Sequence, residues 1–530
     1  MGRAAVALVV LALVASLATT PAVPGAGGSA DGATRQTPES PSLPAYLTLT
    51  GAGRSIPPSF LGLSIEYKEL RTYIRSGAAF DRAISLIGPH HAPMLLRIGG
   101  KSADHVWWES ATQTPPQWVT TIRESWLDDL AGLVARDKLR VILDLNLAVH
   151  SPRLAATFAA AGVHALPRSS VAALEVGNEP DLYWRQPWLE KQRIRTTSAN
   201  VPLDWSRDYS ALDYRRDYVD YARALAARVP GIPIGAPETI SSSLSWLRAT
   251  TGLGALNPRF LAVHRYASST CFPPRSPHYP TIPMLLGNAA TAGLAGTVEP
   301  AVAFAHSEHM ELRLTEVNSI SCGGNAGIAD SFATALWAPD ALFEMLRAGI
   351  DGVNWHIRPQ TVNSPFHLMT AGIVPLPELY GLALFAQMIQ GRSRLLDSTL
   401  TSSAALNLKA WAVRSSAATT VLLINKGARE ADVRLPAVVP RPAIATVSRL
   451  EAPSIGSTTG VRFAGRWIGT DARWHGRQSA TAVSETGGFY YVVVPGYSAA
   501  EVSLGSDSRP RHSINPSTRS PRRNPRRRLM

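Results

Sequence analysis

Two glutamates in this chain each end an apolar run of the kind that forms a buried strand. Glu179 closes the run at residues 171–180, and Glu316 lies in the run at residues 312–319. Removing a carboxylate from water is costly, so an acid at the end of a buried strand indicates a chemical task. Cleavage of a glycosidic bond needs such a pair, one carboxyl protonated and the other ionised. We therefore take the two glutamates as a candidate catalytic pair.

The residues around the two glutamates indicate a different catalytic role for each. Asn178 directly precedes Glu179 and can hydrogen-bond a sugar 2-hydroxyl, a contact that strengthens in the transition state. Tyr266 and Arg97 can donate to Glu316 and keep it ionised. We predict that Glu316 is the nucleophile and that Glu179 is the general acid and later the general base. A separation of about 5 to 5.5 Å between the two carboxyls would mean a retaining mechanism.

Other interpretations of these acids remain open. Either glutamate alone can be the partner of a neighbouring arginine in a buried salt bridge. Glu238 also ends a strand and competes for the role of nucleophile, whereas Glu175 lies within a strand and is predicted to be a packing or ion-pair residue. The chain has no His-Glu-x-x-His motif and no cysteine cluster, so we predict neither a metal nor an organic cofactor.

The elements that must hold these residues follow a regular rhythm from residue 60 onwards. Eight short apolar runs without alternation, typical of strands buried on both faces, are separated by segments of helical period. The runs are residues 60–66, 94–100, 140–147, 171–178, 232–238, 260–266, 312–317 and 352–357. Eight strand–helix units favour an α/β fold, a (β/α)8 TIM barrel at residues 57–391. A doubly wound open sheet is the alternative, but no Gly-rich phosphate fingerprint follows the first strand.

Polar side chains concentrate at the C-terminal ends of the eight predicted strands, where barrels of this type place their active sites. These positions are Glu66, residues 97–104, Asn146, Asn178, Glu179, Glu238, His264, Tyr266, residues 316–318, Trp355 and His356. The concentration at one end of every run predicts a single site at one rim of the barrel.

The pattern of the chain changes after residue 391. Runs such as residues 406–413, 420–425 and 488–494 alternate apolar and polar positions, which is typical of antiparallel strands. We predict an antiparallel β-sandwich at residues 392–505. Residues 46–50 alternate in the same way, so residues 44–56 are predicted to supply an N-terminal strand of that sandwich.

The two ends of the chain and its cysteines indicate export. Residues 1–18 have a basic start, an apolar run and small residues, typical of a secretory signal peptide, and residues 19–43 have the composition of a flexible linker. The apolar run is shorter than the roughly 20 residues that a membrane span needs, so no membrane span is predicted. In a secreted, extracellular protein the two cysteines, Cys271 and Cys322, predict one disulfide, since each follows an apolar run at a similar distance.

The formal net charge of +13 is concentrated at the C-terminus. Residues 509–530 contain eight arginines, which leaves a body that is only mildly basic. We predict a disordered Arg-rich tail at residues 506–530, with contact to polyanions as an alternative role for it, and no nucleic-acid partner for the body.

Four stretches resemble glycoside hydrolase family 79, the β-glucuronidases and heparanase, within the clan of retaining (β/α)8 glycosidases. They are residues 60–66 ending in Glu66, residues 96–104 with Arg-Ile-Gly-Gly, residues 316–324 ending in Gly-Gly, and residues 375–380. The Asn-Glu-Pro sequence at residues 178–180 is common to the clan. The chain departs from the pattern at Ser321-Cys322, where heparanase-like members have Tyr-Gly, and at Phe366, where a hydroxyl-bearing Tyr is expected.

The resemblance implies which residues contact the sugar. Glu66 would touch it, the loop with Arg97, Gly100, Lys101 and Asp104 would line it, and the amides of Gly323 and Gly324 would receive a uronate carboxylate. From the residues themselves, glycines admit close approach of a ligand to the backbone, and Lys101 can add a cation. His264 is expected to contact the substrate or Glu316, and Trp355 to stack on a sugar face, although packing in the barrel core is the alternative for both.

These observations predict a secreted retaining glycoside hydrolase that cleaves β-linked glucuronic acid from glycans or glycoconjugates by double displacement. The alternatives are another retaining glycosidase of the clan, such as a β-xylosidase or endo-glycanase, a catalytically silent carbohydrate-binding protein, or a polyanion-binding surface protein that uses the Arg-rich tail.

Overall fold

The computed structural model describes residues 42–89, 92–109, 115, 117–185, 209–416, 418–437 and 444–505. The predicted signal peptide, nearly all of the predicted linker and the Arg-rich tail lie outside the described residues, and those three assignments stay predictions.

The strands alternate with helices up to residue 388 and then follow one another directly. In chain order they are β1 Leu43–Ser55, β2 Leu61–Glu66, β3 Leu95–Gly99, β4 Val106–Trp108, β5 Thr120–Ile122, β6 Arg140–Leu145, β7 Val171–Val176, β8 Ile234–Thr239, β9 Phe260–Ser269, β10 Glu311–Ser321, β11 Gly352–His356, β12 Phe366–Met369, β13 Gly372–Pro375, β14 Arg394–Ser402, β15 Leu408–Arg414, β16 Ala418–Asn425, β17 Ala431–Pro436, β18 Ile444–Glu451, β19 Arg462–Phe463, β20 Trp467–Ile468, β21 Trp474–His475, β22 Thr481–Ser484, β23 Phe489–Val494 and β24 Ser498–Gly505.

The helices belong to the first part of the chain. The α-helices are α1 Leu70–Arg75, α2 Gly77–Ile87, α3 Glu124–Asp137, α4 Pro152–Ala165, α5 Ala211–Arg228, α6 Leu244–Arg248, α7 Ile282–Leu286, α8 Ala292–Gly296, α9 Glu299–Ser307, α10 Phe332–Ala348 and α11 Pro377–Met388. Short 3-10 helices lie at Tyr67–Glu69, Ala103–His105, Arg168–Ser170, Pro180–Arg185, Gly254–Leu256 and Asn288–Ala290.

Eight parallel strands close into a barrel. The order is β10-β11-β2-β3-β6-β7-β8-β9, and the last barrel strand β11 pairs with the first, β2. Every residue of β2 and of β3 is buried, which explains why these runs are apolar without alternation. The predicted (β/α)8 barrel is confirmed, and the open-sheet alternative is wrong.

The sixth and seventh barrel strands, β9 and β10, run further than the apolar pattern predicts. They pair from Phe260 and Glu311 to Ser269 and Ser321, so their last residues form a two-stranded ribbon beyond the apolar runs. The sequence pattern missed this extension because the ribbon residues include serines and an asparagine rather than a continuous apolar run. Directly beyond the ribbon, Cys271 and Cys322 form a disulfide with their Cα atoms 5.9 Å apart.

The second sheet is built from both ends of the chain, as predicted. Its order is β19-β18-β24-β16-β15-β14-β1-β17-β23, with β22 paired to β18. β1 pairs antiparallel with β14 and parallel with β17, while the other neighbours in the sheet are antiparallel. Strands such as β17 alternate buried and half-buried residues, because one face packs on the sandwich core and the other faces solvent.

A buried ion pair joins the barrel to the sandwich. Lys426, at the end of β16, places Nζ 2.6 Å from Asp340 Oδ2 on α10, and both side chains are fully buried. Trp411 Nε1 on β15 donates to the other oxygen of Asp340 at 2.9 Å. A buried charge without its partner is strongly destabilising, so these contacts fix the sandwich against the barrel helices.

Among the described residues no helix has both the length and the apolar character that a membrane span requires.

Candidate active site

The two predicted catalytic glutamates lie together at the C-terminal rim of the barrel. Glu179 follows β7, and Glu316 lies within β10. One carboxylate oxygen of each, together with a ring nitrogen of His264, falls within 4.8 Å of the others. That proximity matches the close spacing of a nucleophile and an acid/base in a retaining glycosidase.

The backbone at Glu179 is held in an unusual conformation. Its φ is +50°, a region that non-glycine residues seldom adopt, and its N–H donates to the carbonyl of Glu238 at 3.0 Å. Glu238, on the neighbouring strand, also has a positive φ of +62°. Strain of this kind persists only where surrounding contacts enforce it, and it concentrates at functional sites. From this backbone an oxygen of Glu179 lies within 4.8 Å of an oxygen of Glu316.

Glu316 is held in the ionised form. Arg97 Nη1 donates to its Oε2 at 3.1 Å, and Tyr266 Oη donates to its Oε1 at 2.5 Å. Burial alone would raise the pKa of this carboxyl, but the neighbouring cationic and hydrogen-bonding groups outweigh burial and hold the pKa well below its usual range. Of these groups, His356 and His264 are uncharged near neutral pH, because burial lowers the pKa of both rings, that of His264 to about 4. Arg97 and Tyr266 therefore provide the lasting stabilisation.

Glu179 is held in the protonated form. Burial, and after it the negative charge of Glu316, raises the pKa of Glu179 to about 8. His264 Nδ1 lies 3.1 Å from Glu179 Oε1 and orients the carboxyl. Two neighbouring carboxyls whose surroundings push their pKa values apart are the pattern of an acid and a nucleophile.

Arg97 lies at the centre of a group of buried charges beneath the site. Its guanidinium is fully buried and contacts four carboxylates, with Asp144, Glu175 and Glu238 at 3.2, 2.9 and 2.5 Å in addition to Glu316. Burial, and then the charge of Glu175, raises the pKa of Glu238 well above its usual range despite Arg97. A neutral, fully buried acid is a poor nucleophile, so we retain Glu316 in that role and place Glu175 and Glu238 among the residues that support Arg97.

Asn178 and Tyr266 are oriented by the same network. Asn178 Oδ1 accepts from Arg97 Nη2 at 3.1 Å, which leaves the amide nitrogen of Asn178 as the group available to a sugar hydroxyl. Tyr266, on β9, donates its hydroxyl hydrogen to Glu316. His264 is fully buried, with Nε2 4.0 Å from Glu238 Oε2, so it contacts Glu179 rather than Glu316.

The loop after β3 contributes one exposed cation and holds the acid at the end of β2 in place. Glu66 is buried and accepts from the Ser102 N–H and from Arg358 Nη2, each at 2.7 Å. Gly100 has a φ of +69°, and a Cβ there would lie 2.9 Å from the carboxyl carbon of Glu66, so glycine is required. Lys101 is exposed beside the site, and its charge acts on Glu179.

Two predicted substrate contacts face inward instead. Asp104 is 2% exposed and accepts from the N–H groups of Leu147 and Ala148 and from the Tyr183 hydroxyl. Trp355 is fully buried, and its Nε1 donates to Glu378 at 3.1 Å. The structure does not bring either side chain to the site: Asp104 braces a loop, and Trp355 belongs to the core beneath.

The two glycines that were predicted to receive a uronate carboxylate lie just after β10. Gly323 and Gly324 have φ values of +89° and +85° and follow the disulfide cysteine Cys322 directly. A Cβ at Gly323 would meet open space, whereas one at Gly324 would lie 2.9 Å from the backbone nitrogen of Asn363. The positive φ at both positions favours glycine, and the backbone at Gly323 is open to a ligand.

Sequence reasoning missed Arg358, which lies two residues beyond β11. Its side chain is 34% exposed, and the buried carboxylate of Glu66 holds it at 2.7 Å. The pKa of Tyr266 responds to Arg358, and that of Arg358 to Glu316, so Arg358 belongs to the site. A search that extended each predicted strand end by two residues would have found it.

Glu179, His264 and Glu316 also form the one group, among the described residues, whose ligand atoms converge closely enough to hold a metal ion. Arg97 already places a positive charge 3.1 Å from Glu316, and burial keeps Glu179 protonated near neutral pH. Both features oppose a second cation, and we assign no metal to the site.

Comparison with known proteins gives the fold class. No family model matches this chain, and no curated protein matches it. Among solved structures, it is similar to a 4-O-α-L-rhamnosyl-β-D-glucuronidase from Fusarium oxysporum 12S, with a TM-score of 0.70 and 17% identity over 88% of this chain and 99% of that one.

Two arabinofuranosidases are similar as well. A GH51 arabinofuranosidase from Xanthomonas axonopodis pv. citri has a TM-score of 0.61 and 14% identity over 87% of this chain and 99% of that one. An α-L-arabinofuranosidase from Thermotoga maritima has a TM-score of 0.59 and 13% identity over 88% and 100%. The neighbours therefore support the fold, a (β/α)8 barrel with an attached β-sheet domain, and at these identities they show no more than the fold.

Proposed function

We propose that this protein is a secreted retaining glycoside hydrolase that releases β-linked glucuronic acid from glycans or glycoconjugates. The observation that carries the proposal is the approach of Glu179 and Glu316 to within 4.8 Å, with the pKa of the first raised to about 8 and that of the second well below its usual range. This is the resting state that double displacement requires.

In the first step Glu316 attacks the anomeric carbon while Glu179 gives its proton to the departing oxygen. The glycosidic C–O bond breaks, an ester bond forms to Glu316, and the aglycone leaves as an alcohol. Asn178, with its carbonyl committed to Arg97, presents its amide N–H groups to the sugar 2-hydroxyl.

The second step reverses the role of Glu179. Esterification removes the negative charge of Glu316, which after burial is the largest cause that raises the pKa of Glu179, so that pKa falls. The resulting carboxylate takes a proton from water, the water oxygen attacks the anomeric carbon, and Glu316 departs. Two inversions at the anomeric carbon give net retention.

Two cations at the mouth of the site support a uronate in preference to a neutral sugar. Arg358 is anchored by the buried Glu66 yet 34% exposed, and Lys101 is exposed. Phe366 has no hydroxyl and is fully buried, so it makes no hydrogen bond to the sugar where the family has a Tyr. We infer that Arg358 takes over part of the recognition of the carboxylate, together with the amides at Gly323 and Gly324.

Membership of family 79 and export are parts of the same proposal. The four sequence stretches support the first. The disulfide between Cys271 and Cys322 supports the second, because disulfides persist in oxidising compartments.

The test compares aryl β-glucuronide, β-glucoside and β-xyloside hydrolysis by the wild type and by Glu316→Gln. We expect the glucuronide to be preferred, and the variant to lose at least about a thousandfold in kcat. Preference for the xyloside would replace the glucuronidase proposal with another retaining specificity, whereas full activity of Glu316→Gln would remove the nucleophile itself.

A further inference from the structure

The outer face of the sandwich carries a row of side chains in register across four strands. Tyr491 on β23 is paired with Arg434 on β17, Arg434 with Tyr46 on β1, and Tyr46 with Thr401 on β14. Since side chains of directly paired residues lie on one face of a sheet, the four form a continuous row across the strands. No member of the row belongs to a barrel strand, so the row is separate from the site of Glu179 and Glu316.

The two tyrosines of this row are exposed although aromatic residues of this size are usually buried. Tyr46 is 49% and Tyr491 48% exposed, while their chain neighbours Ala45, Leu47, Tyr490 and Val492 are all at most 4% exposed. The alternation shows that β1 and β23 have a complete inner face and do not need the tyrosines for the core. Val493, also on the outer face of β23, adds a further 41% exposed apolar residue.

The spacing of the row suits a chain of sugars. Tyr46 and Tyr491 are separated by two strand spacings, which places the strands roughly 10 Å apart, about the length of a disaccharide. An aromatic ring on a flat, exposed sheet gives the apolar C–H face of a pyranose a surface to stack on, and the tyrosine hydroxyl remains free to meet water or a sugar hydroxyl.

The charge of the row selects an acidic chain. Arg434 lies between the two tyrosines. Its guanidinium carbon is 3.5 Å from the centre of the Phe489 ring, and this stacking holds the Arg434 side chain against the outer face of the sheet. Within the described part of the chain no carboxylate forms an ion pair with Arg434, and the one acid in the adjacent row is Asp432. Arg449 Nη1 donates a hydrogen bond to the carbonyl of Val493 on the edge strand β23 and adds a second cation there.

We propose that the row formed by Tyr46, Arg434, Tyr491 and Thr401 is a second carbohydrate-binding site that holds a uronate-bearing polysaccharide on the sandwich. The choice of a uronate-bearing chain rests in part on the function proposed for the barrel, whereas the existence of the site rests on the row alone. The site would keep a polymer near the enzyme without taking part in bond cleavage.

The test measures retention of the full chain in affinity gels that contain glucuronoxylan or neutral arabinoxylan. All variants carry Glu316→Gln, so that the polymer stays intact. We expect Tyr46→Ala and Tyr491→Ala each to weaken retention by glucuronoxylan about three- to tenfold, and the double variant to abolish it. Arg434→Gln should weaken retention by glucuronoxylan more than by arabinoxylan, and added salt should remove that difference.

The matched control is Trp467→Ala. Trp467 is 42% exposed on the β20–β21 hairpin, outside the row, and its loss removes a comparable aromatic area. On the active background, kcat/KM for a small aryl β-glucuronide should be unchanged by Tyr46→Ala and Tyr491→Ala, because the row does not contact the barrel site.

Three results would overturn the proposal: unchanged retention in the double tyrosine variant, an equal loss in Trp467→Ala, or a wild-type dimer that the tyrosine variants dissociate. The last would identify a second copy of this chain as the occupant of the row. Retention that depends on the row in a protein without any glucuronidase activity would instead reject the function proposed for the barrel and leave the row as a glycan-binding site.

Discussion

Tyr266 and Glu316 are joined by a hydrogen bond of 2.5 Å between neighbouring strands of the barrel, β9 and β10. The bond engages one oxygen of Glu316, the proposed nucleophile, while Arg97 engages the other. Both oxygens are therefore fixed, and the carboxylate is aimed before any sugar arrives, which reduces the reorganisation needed at the moment of attack.

Replacement of Tyr266 by Phe removes this hydrogen bond and keeps the ring. A hydrogen bond to a charged group is worth about 1.5 to 3 kcal/mol, so we expect kcat/KM to fall roughly 10- to 100-fold. The pKa of Glu316 should rise, because burial is then less well opposed, and an acid limb should enter the pH profile of kcat/KM. Tyr279→Phe is the control, and an identical pH profile in both variants would count against the role of Tyr266.

The pH dependence of the wild type should be governed by Glu179. Its acid form is needed for the first step and is lost as the pH rises through its pKa of about 8, so kcat/KM should decline above about pH 8. On the acid side we expect no loss until His264 becomes charged near its pKa of about 4. The measurement is kcat/KM against pH for an aryl glycoside with a poor leaving group, and an alkaline limb at pH 5 to 6 would contradict the assignment.

Azide should restore activity to Glu179→Ala on a substrate whose leaving group needs no proton. The small anion fits the space of the lost carboxylate, attacks the glycosyl-enzyme and gives a β-glycosyl azide. In Glu316→Ala, azide would replace the nucleophile instead and give the α-anomer. Product analysis by NMR separates the two, and the absence of any β-azide from Glu179→Ala would speak against its role as the base.

Arg358→Gln should change specificity more than turnover in general. Loss of a cation that pairs with a carboxylate is expected to lower kcat/KM for an aryl β-glucuronide roughly 10- to 100-fold and to leave the β-glucoside nearly unchanged. Arg347→Gln is the matched control, since Arg347 also pairs with a buried glutamate, Glu344, but on α10. Equal losses on both substrates would show that Arg358 merely supports Glu66.

Glu378→Gln should make folding stability less dependent on pH. Burial raises the pKa of Glu378 to about 8, so the folded chain keeps this proton at a pH where the unfolded chain, with a pKa near 4.5, has lost it. The contribution of Glu378 to stability is complete below about pH 4.5 and is lost as the pH rises to about 8, by about 1.4 kcal/mol per pH unit.

Denaturant unfolding at pH 5, 6.5 and 8 checks this expectation. The gap between Glu378→Gln and the wild type should grow in favour of the variant as the pH rises. The exposed Glu430→Gln provides the baseline, and parallel curves for all three proteins would mean that Glu378 is ionised in the fold.

The barrel and the position of the two candidate catalytic glutamates could be predicted from sequence because both depend on strand identity. Apolar runs without alternation define strands buried on both faces, and the last residues of such strands lie at one rim. Glu179 and Glu316 met this criterion. The positive φ of Glu179 could not be read from the residue type, since glutamate seldom adopts that conformation.

The direction of a side chain was the main quantity that the sequence did not determine. Asp104 and Trp355 lie near the rim, yet both turn inward, because Tyr183 and Glu378 offer them buried partners that are distant in the sequence. Arg358 went unnoticed because it follows its strand by two residues. Its role depends on Glu66, which lies at the end of the neighbouring barrel strand β2.

The position of β1 has a consequence for how this chain is made. β1 is translated before the barrel, but its partners β14 and β17 are translated only after the last barrel helix, so β1 stays unpaired while the barrel is made. An unpaired strand edge is a hazard for aggregation. Expressing the barrel or the sandwich alone would make that temporary exposure permanent, and residues 43–505 therefore need to be expressed as one piece.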